Sequence, residues 1–232
     1  NISGVGSTIF SVVSGAEIKD INFENVELIT NDSADNKAKS MQAGIFGKVL
    51  NNTTLKNIRA SKVTLSDMPS NIGGLVSYLE YSTVEDCRME DVSIRTAAYG
   101  NSALSVGGLV GYGKGLTVKN SYASGLDIEA KNGVRANGVG GLVGYVETFG
   151  SVSNAYSHGT INTAFGGTGG IVGAGSSDIS EAVSLTDITS STGDLGGILG
   201  IATDNVSVDD VISIGNLSGS GSNINRIYGN IR

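Results

Sequence analysis

The seven residues Val106–Tyr112, VGGLVGY, recur without change at Val139–Tyr145. The two copies begin 33 positions apart, at 106 and 139. Self-similarity at a period of 20 to 50 residues is typical of proteins built from stacked structural repeats, in which each unit buries its apolar face only against its neighbours. This stretch therefore predicts a repeat architecture.

Weaker copies of the motif extend the repeat over the whole chain. Their centre is an apolar pair, mostly between two small residues, and successive copies are 27 to 36 residues apart. The copies are Thr8–Ser11 (TIFS), Gly44–Gly47 (GIFG), Gly74–Ser77 (GLVS), Gly108–Gly111 (GLVG), Gly141–Gly144 (GLVG), Gly170–Gly173 (GIVG), Gly197–Gly200 (GILG) and Arg226–Gly229 (RIYG). Eight motifs predict about eight coils.

Within each unit, apolar and polar residues alternate with the period of two that is typical of β-strands, as in LTVKNSYA at Leu116–Ala123. The motif itself and two further short strands make three strands in each unit. The sequence thus predicts an all-β fold, a parallel β-helix (β-solenoid) of about eight coils with three short strands per coil, and the usual crossover rule makes it right-handed. We expect residues 1–232 to form a single repeat domain, and the chain to be an excised fragment of a longer protein.

One acid or amide follows the second strand of each unit. The set, called here the corner ladder, is Asp20, Asn57, Asp86, Asn120, Asn154, Glu181 and Asp210. We expect these side chains to bond to their own turns and to one another between coils. The glycine pair that opens each motif can adopt positive φ at the turn that enters the strand, and the closing glycine is expected to mark a bend or a close backbone approach. Cys87, the single cysteine, falls on an inward position and is expected in the core.

Composition excludes several classes of function. The formal net charge is −7 with no basic stripe, which argues against nucleic acids and anionic membranes as partners. No apolar run approaches the roughly 20 residues of a transmembrane helix. The only histidine, His158, falls on an outward polar position, and the chain has no HExxH, GxSxG or Walker motif. We therefore expect no catalytic residue, metal or cofactor in this chain.

Two outward columns of side chains are the candidate binding residues. The first, the Arg/Tyr column, contains Arg59, Arg88, Tyr122 and Tyr156, and the apolar Val183 and Ile212 extend it. The second, the tyrosine column, contains Tyr78, Tyr112 and Tyr145 and continues as Ala174 and Ile201. Each column is either a docking surface or a ladder in which stacked side chains stabilise only the solenoid itself.

A polysaccharide-acting β-helix enzyme is a further alternative. Its acids and bases would come from one face, and the candidates are Asp86, Asp91, Arg59, Arg88 and Lys119. Glycoside hydrolysis needs two positioned carboxylates. No such pair can be singled out, because every coil contains an acid.

The motifs GLVG, GIVG and GILG, together with VKNSYASG and VSNAYSHGTI, resemble the GLUG-motif repeat, and the resemblance covers nearly the whole chain. GLUG repeats occur in the non-catalytic region of streptococcal immunoglobulin A1 protease-type zinc metallopeptidases. The resemblance implies a scaffold or recognition module of a secreted or surface-attached bacterial metalloprotease, whose zinc site lies elsewhere in the parent chain. The implied partner is a host protein such as immunoglobulin, or a neighbouring domain. Because the motif also occurs in adhesin-like proteins, an adhesin stalk or surface-binding module is the alternative.

Overall fold

A computed structural model describes residues 2–5, 7–29, 42–68, 70–96, 104–131, 136–204 and 206–231. None of these residues forms a helix, so none contributes a helix that could cross a membrane. The strands are β1 (Ile2–Val5), β2 (Thr8–Ser14), β3 (Glu17–Lys19), β4 (Asn22–Ile29), β5 (Gln42–Leu50), β6 (Thr54–Lys56), β7 (Arg59–Met68), β8 (Asn71–Gly73), β9 (Val76–Glu80), β10 (Thr83–Glu85), β11 (Arg88–Thr96), β12 (Leu104–Gly107), β13 (Val110–Lys114), β14 (Thr117–Ala130), β15 (Ala136–Gly140), β16 (Val143–Thr163), β17 (Thr168–Gly169), β18 (Val172–Ser190), β19 (Leu195–Gly196), β20 (Leu199–Ala202), β21 (Val208–Asp209), β22 (Ile212–Ser213), β23 (Leu217–Gly219), β24 (Ile224–Asn225) and β25 (Tyr228–Ile231).

Each described strand pairs in parallel with the equivalent strand of the next coil. The strands that carry the motif stack in the order β2, β5, β9, β13, β16, β18, β20 and β25. This stacking confirms the parallel β-solenoid. It has about six complete turns rather than eight, because the first and last motifs lie in coils of which only part is described. The right-handed sense stays a prediction.

A coil contains four strands rather than the three predicted. The additional short strand comes directly before the motif, and it pairs with its counterparts in the neighbouring coils through β8, β12, β15, β17, β19 and β24. These strands are only two to five residues long and are rich in glycine, serine and asparagine, so they lack the apolar alternation by which the other strands can be recognised. The sequence pattern therefore does not reveal these strands.

The inward positions of successive coils form one continuous apolar core. Leu55, Val84 and Val118, for example, are stacked in register and fully buried. Near the first coil, Phe46 stacks on Phe10 with ring centroids 4.9 Å apart. Cys87 is also fully buried in this core, as predicted.

The motif glycines are required by close packing and not by backbone conformation. A Cβ on the closing Gly144 would lie 2.4 Å from the amide nitrogen of Val106 and 2.5 Å from the carbonyl oxygen of Gly111. A Cβ on Gly108, in the opening pair, would lie 2.3 Å from the carbonyl oxygen of Gly141. The prediction of positive φ for the opening pairs was wrong, since none of the described pairs lies in the left-handed region. The turn into the motif strand brings backbones into contact where a side chain would not fit.

The left-handed conformation occurs instead at the corner ladder. All seven members have φ between 45° and 59°. Asn57 Nδ2 donates to Asp20 Oδ1 at 2.6 Å, Asn120 Nδ2 to Asp86 Oδ1 at 3.1 Å, and Asn154 Nδ2 to Asn120 Oδ1 at 3.0 Å. The predicted side-chain bonds between coils are therefore present. Asn and Asp tolerate this conformation better than most residues, which explains why they predominate at the corner.

Candidate interaction surfaces

The four residues of the Arg/Tyr column lie on successive coils in one register. Arg59 on β7 is opposite Arg88 on β11, Arg88 is opposite Tyr122 on β14, and Tyr122 is opposite Tyr156 on β16. The register continues to Val183 and Ile212, as the sequence predicted. Both arginines are exposed and both tyrosines are half-buried. The parallel stack thus places two cations beside two phenol rings on the face formed by the third strands.

Ring contacts link this column along the stack. The guanidinium carbon of Arg88 lies 5.5 Å from the centroid of the Tyr122 ring, and the Tyr122 and Tyr156 rings meet edge to face at 6.3 Å. His158 is exposed, and its ring lies parallel to that of Tyr156 at 6.5 Å. Contacts of these kinds contribute about 0.5–1 kcal/mol each at an exposed site. These ring contacts order the side chains but leave their outer surfaces accessible to a partner.

Tyr122 presents a neutral phenol. Its hydroxyl donates to Glu90 Oε1 at 2.7 Å. Burial, followed by this bond to the Glu90 carboxylate, raises the pKa of Tyr122 above its ordinary value. The phenol is therefore a fixed hydrogen-bonding group at physiological pH.

A cleft of about 280 Å³ lies beside the two arginines. The side chains of Glu24 and Glu90 line it together with Arg59 and Arg88, and the short Ser61 leaves the space between them. Among the described residues, no carboxylate forms an ion pair with either guanidinium, whereas Lys56 and Lys119 both pair with Glu85 across neighbouring coils. The two guanidiniums are thus accessible to acidic groups of a partner.

The tyrosine column is also in register and lies on the face formed by the motif strands. Tyr78 and Tyr112 stack with ring centroids 5.3 Å apart and an interplanar angle of 13°, and Tyr145 follows at 5.5 Å. Burial is the main cause of a raised pKa in both Tyr78 and Tyr112, and the carboxylates of Glu80 and Glu147 add to it. The next two coils continue the column with the smaller Ala174 and with Ile201.

A groove begins where the tyrosine column ends. It encloses about 710 Å³, and its floor is formed by Tyr145, Ala174 and Ile201. Its wall is formed by the turns at 164–166, 192–194 and 221–223, with Ala136, Asn137 and Thr203 completing the lining. The register of the tyrosine column predicted the floor residues, but the wall was missed, because its turns lie where the repeat length varies. The run of small residues in AFGG, STGD and SGSN was the available signal.

The structure does not gather the residues considered for a polysaccharide-acting enzyme. Asp86 accepts a hydrogen bond from Asn120 in the corner ladder, and Asp91 occupies a second corner with φ of 54°. Lys119 is held by Glu85 at 3.4 Å. Nor do the described residues contain a group of three or more His, Cys, Asp or Glu side chains that could hold a metal ion. Asp86 and Lys119 are therefore engaged in contacts between coils, whereas Arg59 and Arg88 belong to the Arg/Tyr column.

A family model described as the GLUG motif matches residues 135–162. This chain carries the GLUG motif. The match covers the second VGGLVGY copy and the strand that contains Asn154 and Tyr156, so the repeat unit recognised by the model is one coil of the solenoid. It agrees with the resemblance carried by GLVG and VSNAYSHGTI.

Proteins named immunoglobulin A1 protease are similar to most of this GLUG-containing chain. One, from Streptococcus pneumoniae serotype 4, is 27% identical over 188 residues, which cover 77% of this chain and 9% of the relative. A second, also from Streptococcus pneumoniae, is 25% identical over 187 residues, with the same coverage of both chains. The chain thus corresponds to less than a tenth of the length of these relatives. The chain is similar to a region of these immunoglobulin A1 proteases, and its residues 135–162 match the GLUG motif.

Proposed function

We propose that this solenoid is a non-catalytic recognition module of a secreted or surface-attached bacterial protease, and that it binds a host protein such as immunoglobulin through the Arg/Tyr column. Similarity to immunoglobulin A1 proteases over 77% of the chain supports the kind of parent protein. The observation that carries the recognition role is the column itself. Two guanidiniums without an ion pair among the described residues lie in register with two half-buried tyrosines.

Arginine and tyrosine are the residue types that contribute most often to the energetic centres of protein interfaces. A guanidinium can bind a carboxylate through two hydrogen bonds, and a phenol offers a large contact area with few rotatable bonds. The partner surface that fits the column carries one or two carboxylates beside an apolar patch.

The solenoid presents this surface in a preorganised form. The backbone of each column residue is bonded to the coils on both sides, and the Tyr122 hydroxyl is fixed by Glu90. Because little conformational entropy is then lost on association, a modest number of contacts can give measurable affinity.

The test is a charge reversal in the complete protease that contains this chain. Arg59→Glu with Arg88→Glu should weaken binding of the protein substrate at least tenfold, seen as a higher KM, with kcat on a short peptide substrate unchanged. The matched control is Lys48→Glu with Lys62→Glu. These two lysines also form no ion pair among the described residues, so the net charge changes by the same amount. Unchanged KM in the arginine variant, or equal effects in both variants, would contradict the proposal. Binding of the isolated chain to host cells, with protease kinetics unaffected by either variant, would favour the adhesin instead.

A further inference from the structure

The groove below the tyrosine column lies on a different face from the Arg/Tyr column and has no role in the function proposed above. Its floor residues Tyr145, Ala174 and Ile201 come from three successive coils. At about 4.8 Å per coil, the floor from Tyr145 to Ile201 spans roughly 10 Å along the solenoid axis. The volume of about 710 Å³ is within the range of ligand-binding clefts in proteins. The groove is therefore long and open enough for a short linear molecule that lies along the axis.

The lining favours an uncharged ligand. Tyr145 and Phe165 offer aromatic rings, while Asn137, Thr192 and Ser222 offer neutral hydrogen-bonding groups. The described residues that line the groove include no lysine, arginine or histidine, so they offer no positive counter-charge to an anionic ligand.

Asp194 is the single carboxylate of the lining, and it has bonds of its own. Its Oδ1 accepts from Asn223 Nδ2 at 2.6 Å and from Asn230 Nδ2 at 3.1 Å. The first of these bonds positions the Asn223 amide in the last turn of the wall. Asp194 therefore accepts hydrogen bonds and shapes the wall, and it needs no buried ion pair to do so.

The backbone of the wall does not offer an edge to a peptide. The amide of Gly167 donates to Asp194 O at 3.1 Å, that of Leu195 to Asn223 O at 2.8 Å, and that of Val139 to Gly167 O at 3.0 Å. These bonds run between coils and occupy the backbone that borders the wall turns. A peptide could therefore not add as a further strand beside them, and a ligand in the groove is held mainly by side chains.

We propose that this groove binds a neutral oligosaccharide. A pyranose ring has apolar C–H faces that can lie against Tyr145, Phe165 and Ile201. Its hydroxyls both donate and accept, which suits the amides, hydroxyls and carboxylate of the wall. A linear oligosaccharide laid along the axis would meet similar contacts in each of three coils, and it requires neither a backbone edge nor a counter-charge.

The experiment uses the 232-residue chain and four probes: chitotetraose and lacto-N-neotetraose as neutral oligosaccharides, the sialylated form of the latter, and an uncharged peptide of similar length. Saturation-transfer NMR detects contact and isothermal calorimetry gives Kd. We expect saturable binding of at least one neutral oligosaccharide at millimolar concentration or below, and weaker or no binding of the sialylated probe and the peptide.

Variants locate the site. Tyr145→Ala should weaken binding at least tenfold, a loss of about 1.4 kcal/mol. The matched control Tyr78→Ala removes the same side chain from the same column, two coils outside the groove, and should leave Kd unchanged. Ser222→Trp fills the groove from an exposed wall position and should abolish binding without affecting the core, which keeps the test valid should Tyr145→Ala fold poorly.

Three results would overturn the inference: no binding of either neutral oligosaccharide, preference for the sialylated probe or the peptide, or full binding by Ser222→Trp. Arg59→Glu with Arg88→Glu should leave oligosaccharide binding intact. Failure of the groove and failure of the Arg/Tyr column can thus be told apart.

Discussion

Asn120 shows how an acid or amide residue turns the chain at the same point of successive coils. Its φ of 52° lies in the left-handed region. Its amide donates to Asp86 Oδ1, and its own side-chain oxygen accepts from Asn154. The side chain therefore links three coils, while the backbone takes a conformation that few residues other than glycine adopt readily.

Two substitutions separate these contributions. Asn120→Gly keeps the left-handed conformation and removes the side-chain bonds, at a cost of about 1–2 kcal/mol of unfolding free energy. Asn120→Val removes the same bonds and adds strain, because a β-branched residue is an outlier at positive φ, so we expect a further loss of about 1–2 kcal/mol. Urea denaturation of both variants measures the difference. Equal stabilities would show that the corner imposes no conformational demand.

Cys87 is the second residue whose environment gives a measurable property. Burial raises the pKa of its thiol to about 11. Because only the thiolate is nucleophilic, we expect native Cys87 at pH 8 to react with a disulfide reagent at least roughly 100-fold more slowly than in urea. Prompt stoichiometric labelling of the native protein would contradict its place in the core.

The same pKa shift has a consequence for alkaline stability. The fold keeps the Cys87 thiol neutral. Its contribution to the unfolding free energy is complete below about 8.5, the pKa of the thiol in the unfolded chain, and is lost as pH rises towards 11. From this group alone, the unfolding free energy should fall by up to about 3 kcal/mol over that range. The control Cys87→Ala should show a shallower alkaline decline in urea-denaturation midpoints.

At the scale of the strand, the closing glycine of the motif is a position where no side chain fits. In Gly144→Ala the added methyl would meet backbone atoms of Val106 and Gly111 at 2.4 and 2.5 Å, and neither strand can move without breaking its ladder. We expect a loss of more than about 3 kcal/mol, or failure to fold.

The control for this prediction is Gly15→Ala. Gly15 has φ of 61°, but a Cβ there would meet nothing closer than 3.9 Å, so only the conformational penalty of about 1 kcal/mol applies. Thermal unfolding followed by circular dichroism compares the two variants. If Gly15→Ala proves the more damaging, backbone conformation and not close packing explains why the coils repeat one shape.

These glycines also show where prediction from sequence reached its limit. Positive φ and close packing both select glycine, so the letters GGLVG cannot tell which of the two applies. The inward and outward positions of Cys87, Tyr122 and Tyr145 could be predicted, because a period of two fixes the face of every residue once the register is set. The wall of the groove could not be predicted, since turns such as 192–194 follow no period and their positions depend on contacts between coils.

At the scale of the whole molecule, the solenoid is a one-dimensional stack in which each coil contacts mainly its two neighbours. The motif strands β9, β13 and β16 are in register through Val76, Val110 and Val143. The columns and the groove exist only because this register repeats. It follows that a complete coil should be removable, whereas part of a coil should not.

Deletion of residues 110–142 removes one coil and joins Leu109 to Val143, which occupies the same place in the next coil. The shortened chain should place Tyr145 over Tyr78, keep the groove residues from Tyr145 to Asn223, and unfold cooperatively with a urea m-value about one seventh smaller, in proportion to the surface lost. The matched deletion of residues 110–125 joins Leu109 to Leu126, so part of a third strand would replace a motif strand. The inward and outward positions of later residues would then no longer match those of the coil before them. We expect that variant to lack a cooperative transition and to bind a dye for exposed apolar surface. If the two deletions unfolded alike, the stability of the protein would not come from the register of its coils, and the surfaces assigned to that register would lose their structural basis.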